Sequence, residues 1–244
     1  MANSTKSGHP TPGRASAPSA RRRTNRWVTI AVAAVLALVI GIGLYQSLQP
    51  TAPTSGTPAA PAAGAVNDER VVREDSHRLS TAADGKVTFV EFLDFECESC
   101  RAAYPVVEQL RQTYDGRVTF VARYFPLDGH FNARRAARAV EAAARQGQFE
   151  AMYQRMYETQ TQWGEQRVAK DDLFRSYATD LGLDMAKWDA DYASAAVEQR
   201  IQADVDDGTA LGVTGTPTFF LNGKPFTPES VEDLTRALDE ALAQ

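Results

Sequence analysis

The chain has 244 residues, of which 43% are hydrophobic and 23% charged, enough apolar material for a packed core and too regular for collagen or wholesale disorder. The formal charge is −5, from 26 Lys and Arg against 31 Asp and Glu, but it is unevenly spread. Residues 1–66 carry Lys6, Arg14, Arg21, Arg22, Arg23 and Arg26 and no acid, which leaves 20 basic against 31 acidic side chains, a net −11, in the remainder. That balance excludes the phosphate-neutralising surface of a nucleic-acid binder. There are two cysteines, Cys97 and Cys100, so no long-range disulfide framework exists.

The first 66 residues read as an address and a tether. From Trp27 to Tyr45 run 19 uncharged residues, which as a helix span about 28 Å, the thickness of a bilayer core. A cleaved signal has a shorter apolar run, about 7 to 15 residues, with a small-residue site directly after it; here Ala60 and Ala62 lie well beyond the apolar end. The expectation is an uncleaved single-pass anchor at 27–45. Its basic tail, 1–26, stays cytoplasmic, and everything after it lies on the extracytoplasmic side of the cell membrane. Residues 46–66, rich in Pro, Ala, Thr and Gly, predict a disordered linker.

Residues 67–244 carry the function. Lys86 to Phe95 predicts a buried strand after the turn signal Asp84-Gly85, and a helical spacing of Ala103, Val106, Val107 and Leu110 follows Cys97. A second strand is expected over Val118 to Phe125, completing a β-α-β unit with parallel strands. Residues 132–211 change to a 3.6-residue period, with Asp171 and Asp184 placed as helix caps. Thr218 to Leu221 and Lys224 to Phe226 then form a hairpin across Asn222-Gly223. Thr227 as cap with Pro228 at the first helical position predicts the last helix.

Cys97-Glu98-Ser99-Cys100 falls where a strand ends and a helix begins. The first thiol then meets unpaired N–H groups and the positive end of the helix dipole, which favour the thiolate. Cys100, one turn on, is placed to resolve a mixed disulfide formed at Cys97. A bare pair of this spacing also fits half a zinc site or an inert local disulfide. Zinc needs two more ligands, and beyond the tail only His77 and His130 are histidines, so no metal is expected. Glu91, six residues before Cys97 on the same strand, would have a raised pKa if buried and could exchange protons with the inner thiol; an edge position facing water is the alternative. Thr216-Pro217 enters the later strand, and a cis bond there would leave the Thr216 backbone free to pair with an extended substrate.

VEFLDFECESC, FPLDGHFNARRAARAVEAA and GVTGTPTFFLNG together resemble the thioredoxin superfamily, and within it the DsbA-like thiol-disulfide oxidoreductases, over roughly residues 70–244. The resemblance implies an α/β thioredoxin fold with a helical domain inserted at about 132–211. It further implies Cys97 as attacking thiol, Cys100 as resolving thiol, Glu91 as proton relay and Pro217 as cis. No metal or organic cofactor is implied. The partners implied are exported proteins with cysteine pairs and a quinone-linked membrane reoxidase. Strongly oxidising members commonly carry Pro-His between the cysteines, where this chain has Glu98-Ser99.

His130, Met152, Tyr153, Met156, Tyr157, Trp163 and Trp188 are expected as packing or capping residues, and Arg134, Arg135 and Arg138 as a solvated face. Three readings stand: a disulfide donor, a membrane-tethered reductase, and a non-catalytic binding module with a static or sensing disulfide. Negative charge on Glu96 and Glu98 is expected to raise the Cys97 pKa and place the potential between about −120 and −270 mV. Replacing Glu98 with Gln should raise the potential, measured against glutathione buffers; an unchanged or lower value would sink the charge argument.

Overall fold

The computed structural model describes residues 68–244. The expected tail, anchor and linker lie outside the described residues, and among the described residues no helix is long and apolar enough to cross a membrane.

Five strands form one sheet, β1 (His77–Ser80), β2 (Thr88–Leu93), β3 (Thr119–Tyr124), β4 (Thr218–Leu221) and β5 (Lys224–Phe226), in the order β1-β3-β2-β4-β5. Helix α1 (Glu98–Thr113) crosses from β2 to β3, which pair in parallel, as a β-α-β connection requires. The other pairings are antiparallel. Between β3 and β4 the chain makes five helices, α2 (Ala133–Ala144), α3 (Phe149–Thr159), α4 (Asp171–Asp180), α5 (Met185–Tyr192) and α6 (Ala195–Ala210), with a 3-10 turn at Gln160–Gln162. The final helix is α7 (Val231–Leu242). This is the thioredoxin fold with inserted helices.

The two-residue period of β2 decides where its side chains go. Phe89 and Leu93 join the core beneath α1 and the insert, with Val107, Leu110, Met152, Tyr153, Met156, Tyr157, Trp163 and Trp188. Val90 and Phe92 face the other way, against Val121, Phe125, Val213 and Phe220. Glu91, between Val90 and Phe92, therefore belongs to the α1 face. Asn222 and Gly223 both have positive φ, 49° and 78°, the geometry of a tight hairpin turn that matches strand twist. The Asn222 side chain also accepts the Thr88 N–H at 2.9 Å, locking the hairpin to β2.

The insert is tied to the sheet by buried charge. Arg123 on β3 donates to Asp204 at 2.7 Å and Asp207 at 2.8 Å on α6, and to the carbonyls of Arg70 and Val71 at 2.8 Å. The Arg123 and Asp204 side chains are fully buried, so each needs the other: removing one partner of a buried pair costs about 3–5 kcal/mol.

Several expectations are corrected. Strand β1 was not foreseen. Helix α7 starts at Val231 with Ser230 as its cap, accepting the Asp233 N–H; Thr227 and Pro228 precede it, because Ser230 supplies the nearer hydroxyl. Asp171 is not a cap: Lys170 holds that position, and the Asp171 carboxylate binds the Tyr192 hydroxyl at 2.6 Å and Arg135 at 3.1 Å. Arg134 and Arg138 both pair with Glu198 on α6, so the three arginines brace α2 against its neighbours rather than forming a free solvated face.

A Cβ on Gly208 would stand 2.8 Å from the Phe125 ring and 3.0 Å from Phe92. Helix α6 can approach the sheet only with glycine there. Gly208→Ala should destabilise the protein by about 1–3 kcal/mol, read as a lower urea midpoint at unchanged slope; a midpoint within error of the native one would contradict this packing.

Candidate active site

The chain leaves β2 at Leu93 and turns into α1 through Asp94, Phe95 and Glu96. The Asp94 side chain accepts the Glu96 N–H at 2.8 Å and, from the β3–α2 loop, the Leu127 N–H at 2.9 Å and His130 Nδ1 at 2.7 Å. Its carbonyl accepts the Cys97 N–H at 3.2 Å. Gln160, in the 3-10 turn of the insert, donates through Nε2 to the carbonyls of Phe95 at 2.7 Å and Cys97 at 2.9 Å. Cys97 is thereby fixed as the N-cap residue of α1, with extended backbone.

The far side of the thiol is built by the insert's exit. Helix α6 ends with Gly212 at φ 84° and the Val213 N–H donating back to the Gly208 carbonyl at 2.8 Å. That left-handed close, which glycine adopts freely, sends the chain toward Gly215, and Thr216-Pro217 is cis. The Cys97 thiol donates to the Thr216 carbonyl at 3.3 Å. Cys97, Cys100, Thr216 and Pro217 are thus brought together, while Glu98 and Ser99 stand exposed in the first turn of α1.

Both cysteines are free thiols here and both are buried, Cys100 completely. Their acidities diverge. Cys97 is lowered to about 5, first by the Cys100 thiol donating to its sulfur, then by the Thr216 side chain and the N–H groups of Cys100 and Ser99, against an opposing cost of burial. The Thr216 hydroxyl is buried without a hydrogen-bond partner, so a thiolate at Cys97 meets an unspent donor. Burial and the proximity of Cys97 push Cys100 well up. The acidic neighbours Glu96 and Glu98 therefore do not set the direction: the upward contribution expected of them is outweighed by donors converging on one helix terminus, the position that favours the thiolate.

Glu91 is 4% exposed, and burial, with the nearby charges of Cys97 and Glu108, raises its carboxyl to about 8. It lies inside the core, not at a water-facing edge. Met152, Tyr153, Met156, Tyr157, Trp163 and Trp188 are core residues, as their spacing predicts, and do not line an open groove. Among the described residues no cluster of three or more His, Cys, Asp or Glu is arranged to hold a metal. Asp94 and Gln160 were missed by sequence reasoning. An aspartate ending a strand is a turn signal that could have found the first; nothing local marks the second.

A family model described as thioredoxin matches residues 78–240. The Na(+)/H(+) antiporter NhaA 1 of Mycolicibacterium vanbaalenii is 31% identical over 224 residues, 89% of this chain and 34% of that protein; the chain spans about a third of the length of the curated relatives it matches. Among solved structures, a thioredoxin-like oxidoreductase from Silicibacter pomeroyi is 26% identical, with TM-score 0.61 over 73% of this chain and 99% of that one. The thiol-disulfide exchange protein alpha-DsbA2 from Wolbachia pipientis is 20% identical, with TM-score 0.59 over 70% and 90%. Absorbance of the reduced protein at 240 nm should rise with a midpoint near pH 5 and with one thiolate's amplitude below pH 8; a midpoint above pH 8 would contradict the geometry at Cys97. From its sheet order, inserted helices and matched sequence, this chain belongs to the thioredoxin family and has the fold of its DsbA-like members.

Proposed function

We propose that the protein is a membrane-anchored thiol-disulfide oxidoreductase that donates disulfides to cysteine pairs of exported proteins. The observation that carries this reading is the contrast between Cys97, lowered to about 5 at a helix N-terminus, and the buried, weakly acidic Cys100. A stabilised thiolate favours the reduced pair, and so makes the disulfide a stronger oxidant.

In the oxidised protein a substrate thiolate attacks the Cys97 sulfur, and Cys100 leaves as a thiolate. Cys100 is too weak an acid to remain so and takes a proton, for which Glu91, raised to about 8 and mostly protonated at neutral pH, is the nearby donor. The second substrate thiolate then attacks the substrate sulfur of the mixed disulfide and expels Cys97 as a stable thiolate. Two electrons pass to the protein pair and a disulfide forms in the substrate. The Thr216 backbone beside Cys97 is where an extended substrate would pair, with Pro217 holding that turn, and Glu98 and Ser99 tune the potential from the exposed first turn.

The membrane assignment rests on the 19 uncharged residues from Trp27 to Tyr45, placed so that the catalytic domain is extracytoplasmic. Its likeness to part of proteins named as Na(+)/H(+) antiporters supports work at a membrane. Antiport itself is not carried over, since the chain spans about a third of those proteins. A quinone-linked membrane oxidase is the class of partner that would return the pair to the disulfide.

Equilibrated against glutathione, the full chain should have a potential above about −180 mV; one near −270 mV would reverse the direction to a reductase, and one below about −300 mV would make the disulfide structural. Because Cys97 stays ionised above about pH 5, reduction takes up one proton per electron pair there. The potential should therefore fall by about 30 mV per pH unit between about pH 6 and 7, and by twice that below about pH 4. Cys97→Ser should abolish turnover and Cys100→Ser should accumulate the mixed disulfide, seen by non-reducing electrophoresis; turnover surviving in Cys97→Ser would favour the binding module.

A further inference from the structure

Cys97 sits among acids. Asp94 and Glu96 precede it, Glu91 lies beneath it, and Glu165 stands at the rim with its carboxylate 3.8 Å from His130 Nε2. Any of them, when ionised, disfavours a negative charge at the sulfur. The basic group among them is His130, on the loop between β3 and α2. Its ring is oriented from below: Nδ1 lies 2.7 Å from Asp94 Oδ2, and that same carboxylate is fixed by the Glu96 and Leu127 N–H groups. The His130 N–H closes a turn onto the Leu127 carbonyl at 3.0 Å, so the ring is tied to the residue whose carbonyl accepts the Cys97 N–H, and the backbone to Leu127, which donates to that residue's carboxylate. Glu165, facing the other ring nitrogen, has a φ of 57°, a region that bulky residues adopt at a cost and that clusters at functional sites.

We propose that His130 is a positioning residue for the redox chemistry, a fixed cation held by Asp94 that offsets the surrounding carboxylates and stabilises the Cys97 thiolate through space. The inference rests on the oxidoreductase reading and names a residue outside the cysteine motif that sets its potential. Asp94 raises His130 to about 9, with further contributions from Cys97 and Glu165, so the ring is charged at neutral pH. Since the thiolate raises the proton affinity of His130, linkage requires protonated His130 to lower the proton affinity of Cys97 by the same factor. The ring nitrogens face Asp94 and Glu165; nearby, Glu96 is buried, with burial pushing its carboxyl up, and Cys97 gains its charge only on reduction.

The test uses the full chain, chemically reduced or oxidised, and needs no turnover. The three histidines are followed by NMR, with His130 assigned by its loss in His130→Gln. Oxidation removes the thiolate, so the His130 proton affinity should fall about threefold, the size of a partly exposed ion pair. In reduced His130→Gln, where Gln can still donate to Asp94, the 240 nm midpoint of Cys97 should rise by the same factor. The potential should fall by about 14 mV, the threefold change converted at 29.6 mV per decade. A purely structural histidine would lower the melting temperature and leave both titrations where they were. Turnover with neither shift overturns the role of His130 alone; both shifts without turnover overturn the oxidoreductase reading and leave His130 as the thiolate's counter-charge. If the variant fails to fold, the native protein's two His130 titrations still decide.

Discussion

Asp94 shapes the redox turn with both halves of the residue. Its carboxylate gathers donors from residues two, 33 and 36 positions further along the chain, and its carbonyl holds the Cys97 N–H. Hydrogen bonds to a charged acceptor contribute about 1.5–3 kcal/mol each, ample to fix a turn whose backbone leaves a strand and must start a helix within three residues. The thiol acidity depends on this. Donors act on a sulfur only along defined directions, and a Cys97 displaced from the helix terminus would feel burial without the thiol, hydroxyl and N–H donors that together outweigh it.

The two cysteines illustrate how one environment gives opposite outcomes. They are three residues apart, both buried, yet the Cys100 thiol spends its proton on Cys97 and inherits a negative neighbour. Each stabilises in the other the protonation state it does not itself have, which is the asymmetry a nucleophile and a resolving thiol require. Glu91 extends it inward, since burial and the charge at Cys97 both raise its carboxyl.

What could be read from the sequence was local. Strands β2 and β3, the hairpin at Asn222-Gly223, the helical period of the insert and the cysteine pair at a strand-helix junction are all encoded within a few residues. Strand β1 escaped notice because four residues, HRLS, show no alternation, and its pairing with β3 joins His77 to Ala122. Arg123 in a strand reads as an edge residue; its burial depends on Asp204 and Asp207, 81 and 84 positions away. Glu96 and Glu98 flank Cys97 in sequence and invited an electrostatic argument of the wrong sign, because the donors that win, the Cys100 thiol first and then the Thr216 side chain and the N–H groups of Cys100 and Ser99, act through a geometry that composition does not reveal. Gln160 was invisible for the same reason: its side chain serves carbonyls more than 60 residues earlier.

The reach of Gln160 bears on engineering. Inserted domains are often treated as ornaments that can be trimmed back to a minimal scaffold. Here two carbonyls flanking the start of α1 rely on an amide from the insert, and Arg123, completely buried in the sheet, relies on carboxylates from its last helix. A trimmed protein would keep five strands and both cysteines while stranding an unpaired cation in its interior and loosening the turn that makes one sulfur acidic. The helices and the redox centre are one structural object, and any shortened version would need a new partner for each of those groups before it could resemble the parent.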